Sequence, residues 1–176
     1  MIALKTFQPL DAQNLAARKR AKQLCMQING IPVQLMKQRL PLFQQLFGGV
    51  SSAFIEPDFF CDYGHNIFLG DDFFANHHCV MLDAARIDIG SRVLLGPGVH
   101  LYTTTHPINA QERAAGLQMV APIVLGDDCW IGGNAIVMPG VTIGARSIIG
   151  AGSVVTRDIP VDVIAVGNPC RVTKSI

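Results

Sequence analysis

The stretch LGDDCWIGGNAIVMPGVTIGARSIIGAGSVV, residues 125–155, places an aliphatic residue at every sixth position. Leu125, Ile131, Val137, Ile143, Ile149 and Val155 hold that register, and glycine follows four of them directly, at Gly126, Gly132, Gly144 and Gly150. Four places beyond each aliphatic residue stands Cys129, Ala135, Val141, Ser147, Ser153 or Ile159, mostly small. A period of six is neither the 3.6 of a helix nor the two of a strand, so it is read as a repeat. Three hexads close one triangular coil. The aliphatic residue points inward and stacks on its counterpart one coil away, while glycine and small residues let the chain bend at the corners. The expected fold is mainly β, a parallel β-helix of hexapeptide repeats.

Working outward, Ile89-Gly90, Leu95-Gly96 and Leu101 continue the register upstream, with Val93 and Val99 at the small-residue position. Leu69-Gly70 and Ala75 fit in a shifted phase. From 102 to 121 the period is lost, then it resumes at Leu125, and an insertion of this length in a solenoid projects from one surface. It opens on His106-Pro107, directly after three threonines, so this histidine leaves a rigid coil where the loop begins. Upstream of 50 the pattern becomes helical. Leu15, Leu24 and Ile28 share a face with Ala17 and Ala21, Asp11 is a candidate N-cap, and Asn29-Gly30 supplies the stop. A second helix is expected from Pro32 through Leu46-Phe47, bent at Pro41 and ended by Gly48-Gly49. The two helices would cover the open first coil, whose end otherwise exposes apolar core and strand edges. The domains read as a helical cap, 1–50, and a β-helix body, 51–176, with loop 102–121 and a C-terminal tail.

Charge is uneven along the chain. Residues 1–50 hold seven Lys/Arg against one Asp, leaving seven against twelve acids for the rest. The cations fall within helical pattern and not on an aromatic-studded sheet, which excludes a nucleic-acid footprint. No apolar run of about 18 residues and no leader sequence is present, so neither membrane insertion nor export is expected and the predicted location is cytoplasmic. The five cysteines, Cys25, Cys61, Cys79, Cys129 and Cys170, never form CxxC. They suggest neither a disulfide framework nor a zinc knuckle, and Cys129 reads as a buried core thiol.

The hexads, TTTHP (103–107), CDYGHNIFLGDDFFANHHCVMLD (61–83) and VGNPCRV (166–172) together resemble the hexapeptide-repeat acetyltransferases of the maltose and galactoside type. The likeness covers nearly the whole chain. RKRAKQL (18–24) is similar to the Arg-rich start of that family's cap, and the maltose branch is the nearer one. The resemblance implies a left-handed β-helix, against the usual right-handed crossover, and a homotrimer with active sites between subunits. It also implies acetyl-CoA as donor, a sugar hydroxyl as acceptor and no metal. Acetyl-CoA is already activated, so the enzyme need only deprotonate the hydroxyl, position it and stabilise the oxyanion. A neutral imidazole suits the first task, and His106 matches the family's catalytic base.

By the same resemblance Asn76 is an acceptor-site residue that also helps hold the reacting centre, while Asp83, Asp62 and Asp11 fall at or beside other acceptor positions. Galactoside members carry a second acid after Asp83 and a tyrosine two residues before Asn76; here stand Ala84 and Phe74. On the donor side Trp130 and Gly133 lie where the family packs the pantetheine arm. Ala151, Thr156 and Arg157 match positions lining the nucleotide, and Arg171 and Lys174 are placed to meet phosphates.

Three other readings stay open. A γ-class carbonic anhydrase would use three histidines on zinc, but His100 and His106 have five residues between them where four are usual, and His77 and His78, adjacent on a strand, would point to opposite sides. His65 has no interpretable context. A non-catalytic trimeric scaffold would leave the histidine loop, Trp130 and the basic tail without use. A xenobiotic acetyltransferase would keep the histidine but lack the two-helix cap.

Overall fold

The computed structural model describes residues 4–176. Its body is a stack of triangular coils whose short strands line up in three walls. The first wall holds Ile67–Leu69, Ile87–Ile89, Ile123–Leu125 and Thr142–Ile143. The second holds Ala53–Ile55, Phe73–Ala75, Leu94–Leu95, Trp130–Ile131, Ile148–Ile149 and Val163–Val166. The third holds Phe60–Cys61, Val80–Leu82, His100–Tyr102, Ile136–Val137 and Val154–Val155. All pairings among these strands are parallel, as the hexads predict.

Register follows the repeat. In the second wall Ile55, Ala75, Leu95, Ile131, Ile149 and Ala165 face one another in turn, and all are buried. The small-residue positions Val93, Val99, Cys129, Ala135, Val141, Ser147, Ser153 and Ile159 are buried too. Each fully buried aliphatic side chain contributes about 1.5–3 kcal/mol, so the inward columns are the main source of stability. The Cys129 Sγ donates to the Gly144 carbonyl at 3.1 Å, a core thiol as expected.

The glycine after each inward residue has a different cause from the expected bend. At Gly126 a Cβ would sit 2.5 Å from the Ala145 nitrogen, and at Gly144 2.5 Å from the Val161 nitrogen. Neither has positive φ. They are small because the next coil's backbone lies against them. The bend falls two residues later, on Asp72, Arg92, Asp128, Arg146 and Asp162, all left-handed with φ of 55–60°. These form one corner column of alternating charge, in which Arg92 makes a bidentate pair with Asp128 (2.7 and 2.8 Å) and Arg146 with Asp162 (2.6 Å each).

Helix α1, Ala12–Asn29, starts at Asp11, whose carboxylate accepts from the Gln13 amide at 2.8 Å, and ends at Gly30. Ala21, Leu24, Cys25 and Ile28 are its buried face, and Leu15 is exposed, its expected place taken by Cys25. The second helix is broken. A 3₁₀ segment, Val33–Gln38, leads into α2, Arg39–Leu46, and the non-helical residue is Leu35, not Pro41. Pro41 sits in the first turn of α2, where its missing N–H costs no intrahelical bond. Phe43 and Phe47 stack on each other and meet Phe59 edge-on, so the helices and the first coil share one core.

Two features lie outside the hexad reading. Loop 102–121 is ordered as a hairpin: Thr104–Thr105 pairs antiparallel with Gln118–Val120, and the short helix α3, Ala110–Ala114, lies between. Lys5–Phe7 from the N-terminus adds a third strand. The C-terminal tail folds back as strand Arg171–Ser175 on Val163–Val166 and covers the last coil's edge. No helix among the described residues is long and apolar enough to cross a membrane.

Candidate active site

Each coil turns three corners, and the candidate residues separate onto two of them. The corner between the second and third walls carries Asn76, Gly96, Gly132, Gly133, Gly150 and Ala151. Together with Phe74, Leu94, Trp130 and Ile148 from the second wall's outer face, these residues line a groove of ≈ 450 Å³. The structure therefore brings Asn76, Trp130, Gly133 and Ala151 together. The Asn76 Oδ1 accepts from the His77 amide at 2.8 Å, and the residue lines the groove. Trp130 is 52% exposed and Leu94 46%, so the groove floor is apolar and open. Beyond it, Arg171 and Lys174 lie on the antiparallel strand that closes the same wall. From Asn76's strand to that strand the wall has five inter-strand steps, about 24 Å at roughly 4.8 Å each.

The corner between the third and first walls carries Asp62, Asp83 and the His106 loop. Asp83 has no exposed surface. Its Oδ1 accepts from the amides of Asp62 (3.1 Å) and Tyr63 (2.8 Å), and its Oδ2 from that of Asn66 (3.3 Å). Burial nevertheless pushes its carboxyl up to about 7. It braces the turn one coil away and presents no oxygen to solvent. Asp62 is half-buried, and burial raises its pKa against the opposing pull of Arg18 and Lys22. The Arg18 Nε lies 3.6 Å from Asp62, while its Nη2 donates to the Tyr63 hydroxyl at 2.6 Å. Tyr63 packs with Val120, which pairs with Thr104, two residues before His106.

Arg18 and Tyr63 were not singled out from sequence. One arginine among a helix's cations carries no mark, and only the fold shows it turned toward Asp62. Thr103 anchors the loop's base, its hydroxyl donating to the Leu82 carbonyl at 2.6 Å and accepting from the Ala85 amide at 2.9 Å. His106 follows, exposed, next to buried Pro107. Asp11 is occupied as the α1 cap. Thr156 and Arg157 line a separate cavity of ≈ 290 Å³ with Pro139, Gly140 and Asp158, on the corner of His106 but two coils along. The histidines do not converge. His77 and His78 occupy an exposed turn, not a strand, with His78 at φ 63°; their Nδ1 atoms lie 2.7 Å from the Pro57 carbonyl and 3.6 Å from Asp58. His100 bonds Tyr102. Among the described residues no three or more potential ligands gather for a metal.

Two family models match the chain, the bacterial transferase hexapeptide (six repeats) over 122–157 and the maltose acetyltransferase hexapeptide capping motif over 1–51. The galactoside O-acetyltransferase of Escherichia coli K12 is 40% identical over 160 residues, 90% of this chain and 79% of that protein. The chain belongs to the hexapeptide-repeat acetyltransferases. The fold of this acetyltransferase superposes on a maltose O-acetyltransferase from Clostridium difficile 630 with TM-score 0.94 and 44% identity, covering 98% of this chain and 93% of the other. It also matches a hexapeptide-repeat acetyltransferase from Vibrio cholerae O1 biovar eltor, complexed with acetyl coenzyme A, at TM-score 0.91 and 40% identity, covering 96% and 92%.

Proposed function

We propose that this acetyltransferase moves the acetyl group of acetyl-CoA directly to a sugar hydroxyl, with a maltose- or glucose-like acceptor and His106 as general base. The observation that carries this reading is the separation of the two half-sites. The groove with Asn76, Trp130, Gly133 and Ala151 lies on one corner of the prism, and Asp62, Arg18 and His106 lie on another. A single chain leaves both halves incomplete. In a cyclic trimer the groove corner of one copy meets the loop corner of the next, which accounts for both and covers the exposed stripe of Phe54, Leu94 and Trp130.

In that assembly the donor's pantetheine arm lies along the groove, with the phosphates toward Arg171 and Lys174 at its far end. Thr156 and Arg157 of the neighbouring copy, further along the corner that bears His106, flank the nucleotide. His106 takes the hydroxyl proton as the oxygen attacks the thioester carbonyl. The Asn76 Nδ2 donates to the oxyanion, and the carbon–sulfur bond breaks as the protonated imidazole returns its proton to the leaving thiolate. Asp62 and Arg18 bond sugar hydroxyls. Asp83 holds the Asp62 turn from beneath, and Asp11 starts α1 of the helical cap (1–50), which packs on the catalytic body (51–176). A soluble donor and acceptor suit a cytoplasmic enzyme.

The test is His106→Ala, assayed with acetyl-CoA against maltose, glucose, galactosides and chloramphenicol. Loss of the base should lower kcat by roughly 10²–10⁴-fold with folding and acetyl-CoA affinity intact. Near-normal turnover in a correctly assembled variant places the base elsewhere. Preference for chloramphenicol would move the acceptor to the xenobiotic class.

A further inference from the structure

Cys25 and Cys61 come from different elements, α1 and the first strand of the third wall, yet their sulfurs lie 3.8 Å apart. Both are buried. The other thiols are placed differently: Cys79 and Cys129 donate to the carbonyls of Gly96 and Gly144. Cys61 also borders a cavity of ≈ 340 Å³ shared with Lys22, Met26, Phe60, Asp62 and Leu82, through which small solutes reach its side of the pair.

We propose that Cys25 and Cys61 are a modification site, a dithiol that hydroperoxides convert to a disulfide tying the cap helix to the first coil. The chemistry balances with hydrogen peroxide as oxidant. One sulfur attacks the peroxide oxygen, the O–O bond breaks, and a sulfenic acid and water result. The second sulfur attacks the sulfenic sulfur, a sulfur–sulfur bond forms, and a second water leaves. Two thiols are oxidised by two electrons, and one peroxide is reduced to two waters.

The two thiols share one hydrogen bond, for which either sulfur can be the donor. The neighbouring thiol together with burial raises Cys61 well above the ordinary value, and the same hydrogen bond lowers Cys25. Bond formation requires the sulfurs to close by about 1.8 Å. The link would fall beside Asp62, which follows Cys61 directly, and about two helical turns from Arg18 along the same face of α1.

The experiment exposes the folded full-length protein to hydrogen peroxide, blocks remaining thiols with an alkylating agent after denaturation, and maps the digest by mass spectrometry. The expected product is a Cys25–Cys61 linked peptide, lighter by two hydrogens and released by dithiothreitol, with Cys79, Cys129 and Cys170 still alkylated. Cys79→Ala should keep the link, and Cys25→Ala should lose it. A melting curve of oxidised protein should shift upward, because the link closes a long loop of the unfolded chain. Free Cys25 and Cys61 after treatment, separate oxidation of each to sulfinic acid, or a link that forms only above the melting transition would overturn the proposal.

Discussion

Replacing Asp83 with asparagine should stabilise the protein, and only where the pH is near neutral or above. Asp83 is fully buried and accepts three backbone N–H groups, yet desolvation prevails and lifts its carboxyl from 3.8 to about 7. Between those two values the folded chain holds a proton that the unfolded chain has released, so folding takes up a proton and stability falls as pH rises. Below the lower value there is no penalty; above the upper one it is complete. At about 1.4 kcal/mol per pKa unit the loss reaches about 4 kcal/mol. Asparagine retains the Oδ1 acceptor for Asp62 and Tyr63 but sets an NH₂ against the Asn66 N–H, a donor facing a donor that costs about 1–3 kcal/mol. The variant should therefore lie about 1–3 kcal/mol below the native protein at about pH 4 and gain about 4 kcal/mol on it by about pH 8, ending the more stable of the two. Urea unfolding of both proteins across that range measures the difference. If the three donors instead keep Asp83 an ordinary carboxylate, the amide loses charge-assisted bonds worth about 1.5–3 kcal/mol. A variant destabilised at pH 8, or a difference that does not change with pH, refutes the reasoning.

Removing both Arg171 and Lys174 should raise the KM for acetyl-CoA far more than that for a dephospho-CoA thioester, each lost contact costing about 1.5–3 kcal/mol; equal weakening would place these side chains away from the phosphates. Light scattering should give three times the chain mass, and an active monomer would sink the shared site. Gly126→Ala should cost about 1–3 kcal/mol in thermal or urea unfolding, because its Cβ meets the Ala145 backbone nitrogen at 2.5 Å and backbone cannot turn aside.

The coil body was legible because one signal, an inward residue every six positions, reports directly on stacking. Parallel pairing and the inward columns follow from it. What it could not show were contacts whose partners lie far apart in sequence. Lys5–Phe7 carries no pattern that names Gln118–Val120 as its neighbour, so the loop read as an open projection when it is a three-stranded flap. The Leu117–Met119 segment is largely strand within that flap, while Ile108 is 99% exposed. In α2 the expectation followed proline chemistry to Pro41, whereas a first-turn proline is harmless and the break fell at Leu35. Family motifs nominated the candidate site residues, but how deep each one lies needed the fold. Asp83 and Asp62 look alike in sequence, and only the fold puts one under the surface and the other beside Arg18.

A repetitive solenoid has a counting problem: every coil is nearly the right shape to sit on every other, so a folding chain could omit one and still bury its core. The corner column of Asp72, Arg92, Asp128, Arg146 and Asp162 works as a parity check on that count. Docked in sequence, each acid meets a base. With a single coil skipped, Arg92 would face Arg146 or Asp128 would face Asp162, so the same corner that welcomes the correct neighbour rejects the next one along. Exposed pairs of this kind add little stability. Their worth lies in the contrast between correct and miscounted stacks, which the aliphatic interior, alike at every level, cannot supply.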